Sequence, residues 1–389
     1  MLIDIFLGLF IGIIFGIIAG LLPGIHTNLI VVLLVSVASF LSSADLLLLV
    51  IIIITTAITS SIVDAVPSVF LGASEDVLSL LPGHKLLKKG AGIEAVKFSV
   101  VGSLLGVVSG LFFIPVFILL FPILFTLLKP VLFWILLALV MFLVIREKSV
   151  WPIIIFVLAG LLGMLTLDVI KQPLFPLLSG LFGASTLLFS LLKQVEIPIQ
   201  RKTDILRLPK KKLSISVLTG VLAGSIVTLF PGLSPAQAAA LMPKQKPLQF
   251  LVLLGSIGTI DVLISLVTFF TINKTRNGAV VGINQLVGTI SSELLVTLLS
   301  VCCVATGVAV IFSLFAAKWY ASLLDYIEYD WISVVVLVFL FVMTFFLSGL
   351  LGLLVFITAT AVGLLAPLTG CSRSHAMGCL LIPTLVVLW

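Results

Sequence analysis

Four long stretches of this chain carry no Asp, Glu, Lys or Arg: Ile5–Ala44, Phe98–Leu128, Leu213–Pro243 and Trp331–Ser372. A helix crosses a bilayer with about 20 apolar residues, so each stretch is long enough, and several hold more than one segment. The whole chain is 61% hydrophobic and 9% charged, against about 25% charged in an ordinary soluble domain. So few charges cannot cover a surface in water. A transmembrane barrel is excluded, because its strands alternate over about 10 residues and no such alternation is present. The expected fold class is an all-α integral membrane protein, a polytopic bundle of roughly ten to twelve spans.

Apolar segments are expected at 3–22, 25–41, 46–63, 98–126, 131–145, 150–167, 174–192, 213–230, 234–242, 247–272, 278–292, 294–317, 331–366 and 376–389. Those at 25–41 and 234–242 are too short to span alone. Each follows a Pro-Gly, which points to broken or re-entrant helices. The chain begins Met-Leu-Ile-Asp with no basic leader, so its first segment reads as a membrane helix rather than a cleaved signal.

The net charge of +6 does not imply nucleic acid. The basic residues sit in short loops between apolar segments, as the positive-inside rule expects. Seven of them fall between Lys193 and Lys212. This places 193–212 as a basic cytoplasmic linker between an N-terminal transmembrane repeat, 1–192, and a C-terminal one, 213–389. Lys85, Lys88, Lys89 and Lys97 form a second basic loop, Arg146 and Lys148 a third, all expected on the same side. The acidic stretch Asp325, Glu328, Asp330 and the start of the chain with Asp4 are expected outside. The four cysteines show no C-x-x-C and no metal spacing, so no metal site is expected.

The two halves share a pattern. Residues 12–25 read Gly12-x3-Gly16-x3-Gly20-Leu-Leu-Pro23-Gly24-Ile; residues 220–233 read Gly220-x3-Gly224-x3-Thr228-Leu-Phe-Pro231-Gly232-Leu. Small residues four apart let a neighbouring helix approach closely, and Pro-Gly then stops the helix. A fainter echo relates Ser60-Ser61-Ile62-Val63-Asp64 to Ile257-Gly258-Thr259-Ile260-Asp261. If the first half starts outside and the second inside, the repeats are inverted. That plan is common in secondary transporters, which bind substrate at broken helices near the midplane.

After Pro231-Gly232, Ser234 suits an N-cap, Pro235 the first helical position and Gln237 a capping box. The N-terminus of such a helix offers free N–H groups and about half a positive charge, an anion site without Arg or Lys. In the first half, His26, Thr27 and Asn28 follow Pro23-Gly24. They supply donors for carboxylate oxygens, or merely satisfy broken backbone. The candidate substrate-binding set is therefore Pro23, Gly24, His26, Thr27, Asn28, Pro231, Gly232, Ser234 and Gln237. Asp64 and Asp261, with Ser60 and Thr259, are the candidate ion-coupling residues, since a charge at a helix centre costs roughly 2.5–3.5 kcal/mol. The plainer reading puts both aspartates at helix ends near water. His84 and His375 read as loop and interfacial histidines. No P-loop, G-x-S-x-G or H-E-x-x-H is present, so neither an ATPase engine nor a hydrolase is expected.

Several of these motifs resemble one family. The two Gly-x3-Gly…Pro-Gly motifs, the stretch from Asp64-Ala-Val-Pro-Ser-Val-Phe-Leu-Gly-Ala to Leu-Pro-Gly-His-Lys-Leu-Leu-Lys-Lys-Gly-Ala-Gly, Thr275-Arg276-Asn277-Gly278-Ala279, and Met377-Gly378…Pro383-Thr384 are similar to the large permease subunit of tripartite tricarboxylate transporters, especially its shorter archaeal relatives. The resemblance implies two homologous halves, an ion gradient (Na⁺ or H⁺) as driving force, citrate-like carboxylates as substrate, and no other cofactor. It also implies a small membrane subunit and an extracytoplasmic binding protein as partners. The alternative is an intramembrane enzyme acting on a lipid-linked substrate, with His26 and Asp64 as acid–base pair.

Overall fold

The computed structural model describes residues 2–22, 27–38, 43–70, 83–145, 147, 149–167, 169–170, 172–192, 198–201, 207–229, 238–239, 242, 245–324 and 329–388. Among them there is helix and no strand. Seven helical segments are long and apolar enough to cross a membrane, and three shorter apolar helices accompany them. Large apolar side chains such as Phe6, Phe10, Phe112, Leu119, Ile311 and Phe346 are exposed. They cover the outer faces of their helices, as lipid requires. This is a multi-pass membrane protein.

The first half contains α1 (Leu2–Leu21), α2 (Thr27–Ala38), α3 (Ser43–Val63), its short continuation α4 (Ala65–Phe70), α5 (Gly92–Leu128), α6 (Leu132–Ile145), α7 (Trp151–Thr166) and the helical segment α8 (Leu174–Leu192). The second contains α9 (Lys210–Val227), α10 (Pro247–Ile272), α11 (Gly278–Val287), α12 (Ser292–Leu324), α13 (Tyr329–Thr369) and α14 (Gly378–Leu388). The expected 98–126 segment is thus longer, and α5 continues unbroken through Pro115 and Pro122. The expected 331–366 segment is two helices joined at Gly349, whose φ of 67° and ψ of −161° favour glycine alone.

The core is built around α3 and α10, with 78% and 83% of their most apolar windows buried. Glycines set the spacing. On α1, a Cβ at Gly8, Gly12, Gly16 or Gly20 would meet Ile51, Thr55, Thr59 or Val63 at 2.4–2.8 Å. On α9, Gly220 and Gly224 lie as closely on Ser256 and Ile260 of α10. Each pair runs parallel, because contacts advance together along both chains. The same register pairs position 59 with 260 and position 60 with 261. It is one turn away from the sequence echo, which set Asp64 beside Asp261. The halves also interlock: α5 lies along α10, where Gly102, Gly106 and Gly110 face Val252, Ser256 and Ile260, and α12 packs against α3.

Helix directions follow from contacts. Gly92, which starts α5, touches Phe70 and Leu87, and Gly83 touches Val69 and Leu251. So α1 and α3 run towards the end from which α5, α9 and α10 depart. The basic loops gather at that end. Gln200 Nε2 donates to the Leu87 carbonyl at 3.1 Å, Gly92 N donates to Gln200 Oε1 at 2.9 Å, and Arg201 N donates to the Gly90 carbonyl at 2.8 Å. Glu147, from the third basic loop, accepts from Ser372 N at 3.1–3.2 Å and stands 3.1 Å from His375 Nε2. The neighbouring Arg373 acts electrostatically on His84.

Asp330 departs from expectation, while Asp325 and Glu328 lie outside the described residues. Tyr320, near the end of α12, has its ring centre 6.0 Å from that of Phe70 and donates to the Leu21 carbonyl at 3.2 Å. The chain therefore reaches Asp330 at the basic end, not the opposite one. Acidic residues contribute little to orientation, and α11, expected as an ordinary segment, does not cross.

Candidate functional site

α11 is the element that shapes the site. α10 ends at Ile272, and Asn273 turns the chain with φ 51°. Residues 274–277 are non-helical and lead back along α10, so that Asn277 meets Asp261. Asn277 Nδ2 donates to Asp261 Oδ2 at 3.2 Å, while its Oδ1 accepts from Ala279 N at 3.0 Å. One amide thus caps α11 and holds the carboxylate. At 1.5 Å per residue, Asp261 lies about 21 Å along α10 from Pro247, deep in a hydrocarbon core about 30 Å thick. Lys274 stays at the far end, its Nζ 4.5 Å from the Phe125 ring centre.

α2 is a second short helix with a deep start. Thr27, its first residue, lies with its Oγ1 2.6 Å from Ser60 Oγ. Ser60 Oγ also lies 3.1 Å from the Ala57 carbonyl, to which it can donate. Ser60 lies about 15 Å along the helical path from Phe70. α2 and α11 pack side by side: a Cβ on Gly282 would meet Val31 at 2.3 Å and Val35 at 3.4 Å. Two short helices therefore pack against each other inside the bundle, each with N–H groups at its start that lack intrahelical partners and a partial positive charge there.

Several buried polar atoms have no hydrogen-bond partner among the described residues: Asp261 Oδ1, Ser265 Oγ and Arg276 Nη1 at or beside the α11 start, and Thr55 Oγ1 and Thr59 Oγ1 on the side of α3 that meets α1. Asp261 and Ser265 are one helical turn apart, on one face. Buried polar groups are otherwise nearly always paired.

The remaining expected site residues lie elsewhere. Thr259 is spent on packing, its hydroxyl at 3.2 Å from the carbonyls of Ser103, Gly255 and Ser256. Asp64 sits at the junction of α3 and α4, its Oδ2 accepting from Ser68 Oγ at 3.3 Å, close to Gly20 of α1. Asn28 is the second residue of α2. Pro23, Gly24, His26, Pro231, Gly232, Ser234 and Gln237 lie outside the described residues, as do residues 193–197 and 202–206 of the linker. Sequence reasoning missed Asn277, Arg276 and Ser265 as functional groups. The signal for Asn277 was available: an N-cap residue ahead of an apolar segment too short to span. Among the described residues no three His, Cys, Asp or Glu side chains cluster as a metal site.

Residues 6–378 match the family described as the tripartite tricarboxylate transporter TctA family. The chain belongs to this family. A relative, an uncharacterized protein of Methanocaldococcus jannaschii, is 28% identical over 349 residues, covering 85% of this chain and 86% of its own length. No solved structure matches the chain. TctA proteins are transporters, not enzymes, so the acid–base alternative built on His26 and Asp64 falls away.

Proposed function

We propose that this TctA-family protein is a secondary transporter of di- or tricarboxylates, driven by a Na⁺ or H⁺ gradient and working by alternating access. The observation that carries the reading is the pair of short helices, α2 and α11, that pack together in the bundle, one starting against Ser60 and the other against Asp261. Such starts stabilise an anion without a dense cluster of basic residues. The second support is Asp261, a deep carboxylate with one oxygen unpartnered among the described residues. A buried carboxylate of this kind suits a site that takes up and releases a proton or Na⁺.

The two halves act as inverted repeats in this account. α1 and α3 approach the basic end whereas α9 and α10 leave it, and rocking one half against the other alternates access to the shared middle. The basic end, carrying 193–212, faces the cytoplasm. The tripartite family description points to a small membrane subunit and an extracytoplasmic binding protein as partners. The set around the two helix starts, with Thr27, Ser60 and Asp261, binds substrate and coupling ion.

Uptake of labelled citrate and succinate into proteoliposomes, with and without an inward Na⁺ or H⁺ gradient, tests this. Gradient-stimulated uptake that Asp261→Asn uncouples supports it. No transport of either acid under any gradient contradicts it.

A further inference from the structure

Arg276 is a residue of the site whose chemistry the helix starts do not explain. It lies on the 274–277 segment that dips back along α10, directly before the Asn277 cap of α11. Its Nη1 is buried and has no hydrogen-bond partner among the described residues. Asp261 Oδ1 is in the same condition. The two charges act on each other, yet the carboxylate accepts its hydrogen bond from the Asn277 amide. A buried planar fork of donors with one arm unpartnered, beside a helix N-terminus, suits bidentate reception of a carboxylate.

We propose that Arg276 binds one carboxylate of the transported anion, with Asp261 standing opposite as the acceptor of the coupling cation. This deepens the transport reading and rests on it. In the empty site the two charges act on each other; in the loaded site each takes a partner of its own. The substrate carboxylate neutralises Arg276, and a proton or Na⁺ neutralises Asp261, with Ser265 Oγ one turn away as a further oxygen ligand. Loading one charge without the other leaves a net charge in a low-dielectric interior, which couples the two binding events. Empty, the opposite charges balance each other. That permits return of the unloaded site and forbids return with the cation alone.

The test is equilibrium binding of citrate and succinate to the purified full-length chain in detergent, with and without Na⁺ and at several pH values, alongside proteoliposome uptake. Arg276→Gln alone strands Asp261 and risks the fold. The decisive variant is therefore Arg276→Gln with Asp261→Asn, which removes both charges together. The expected result is a double variant that folds with unaltered helix content but binds either acid about tenfold more weakly or worse, its residual binding no longer dependent on Na⁺ or pH. Arg276→Lys retains the charge and loses the fork, and is expected to fall between. If the double variant binds as tightly as the wild-type chain, Arg276 is only a structural counter-charge and the proposal is overturned. If it does not fold, Arg276→Lys decides: unchanged affinity overturns the proposal, weakened affinity with an unaltered melting temperature supports it. Failure of the wild-type chain to bind or transport either acid contradicts the transport reading itself, a result distinct from wild-type transport that is indifferent to Arg276.

Discussion

At the scale of single residues, glycine does most of the positional work. Where a helix is to lie within a few ångström of another backbone, only hydrogen fits. A Cβ on Gly102 would stand 2.2 Å from the Val252 carbonyl oxygen, whereas one on Gly258 meets nothing within 4 Å. Gly102→Ala is therefore expected to destabilise by about 1–3 kcal/mol through overpacking, and Gly258→Ala to be near neutral. Thermal unfolding of the two variants in one detergent checks the contrast. Polar residues divide in the same manner. Thr259 and Ser103 donate across the α5–α10 contact, so they bind helices together. Asn277 joins a helix start to a carboxylate, so Asn277→Ala removes a cap worth about 1 kcal/mol and also frees Asp261. Carboxylate uptake by Asn277→Ala is expected to fall more than its stability does.

At the scale of elements, turns and breaks decide what spans and what returns. Gly349 converts one apolar run into two helices, and at its φ and ψ Gly349→Ala costs about 1–3 kcal/mol, readable as a lowered melting temperature. The segment 83–87 is the second such element. His84, on the basic end, has its pKa held below the ordinary histidine value, chiefly by burial and then by Lys88, while a hydrogen bond with the Val69 backbone acts in the opposite sense. A histidine depressed in the folded state binds more protons when unfolded. Its share of stability is therefore full above about pH 6.5 and is lost as pH falls below that value. The difference in melting temperature between wild type and His84→Gln is expected to shrink from pH 7.5 to pH 5.5. The re-entrant α11 was legible only in part. Its apolar segment was evident, but nothing in the residues distinguishes a short helix that turns back from one that crosses. That distinction is made by Asn277 reaching Asp261, a contact between positions on two different helices.

At the scale of the whole molecule, the membrane class was plain in the uncharged stretches, since no packing of so few charges can face water. The small-residue repeat was equally legible and became the α1–α3 and α9–α10 contacts. The partner register was not, because Thr, Ser and Ile face one glycine helix interchangeably; only the built contact shows that Ser60, not Asp64, matches Asp261. The gathering of basic loops followed from charge, whereas Asp330 misled because helix count, not acidity, places it. If the basic end is cytoplasmic, a thiol introduced at Arg201 is labelled by an impermeant reagent only in inside-out vesicles; labelling in right-side-out vesicles reverses the assignment. The account as a whole rests on two helix starts meeting an anion in the interior. The most direct measurement is labelling of Gly278→Cys, at the head of α11, in a background lacking Cys302, Cys303, Cys371 and Cys379. A small hydrophilic thiol reagent is predicted to reach it, and citrate to slow the reaction. A thiol that reacts from neither side, or one whose labelling citrate does not change, would contradict the site.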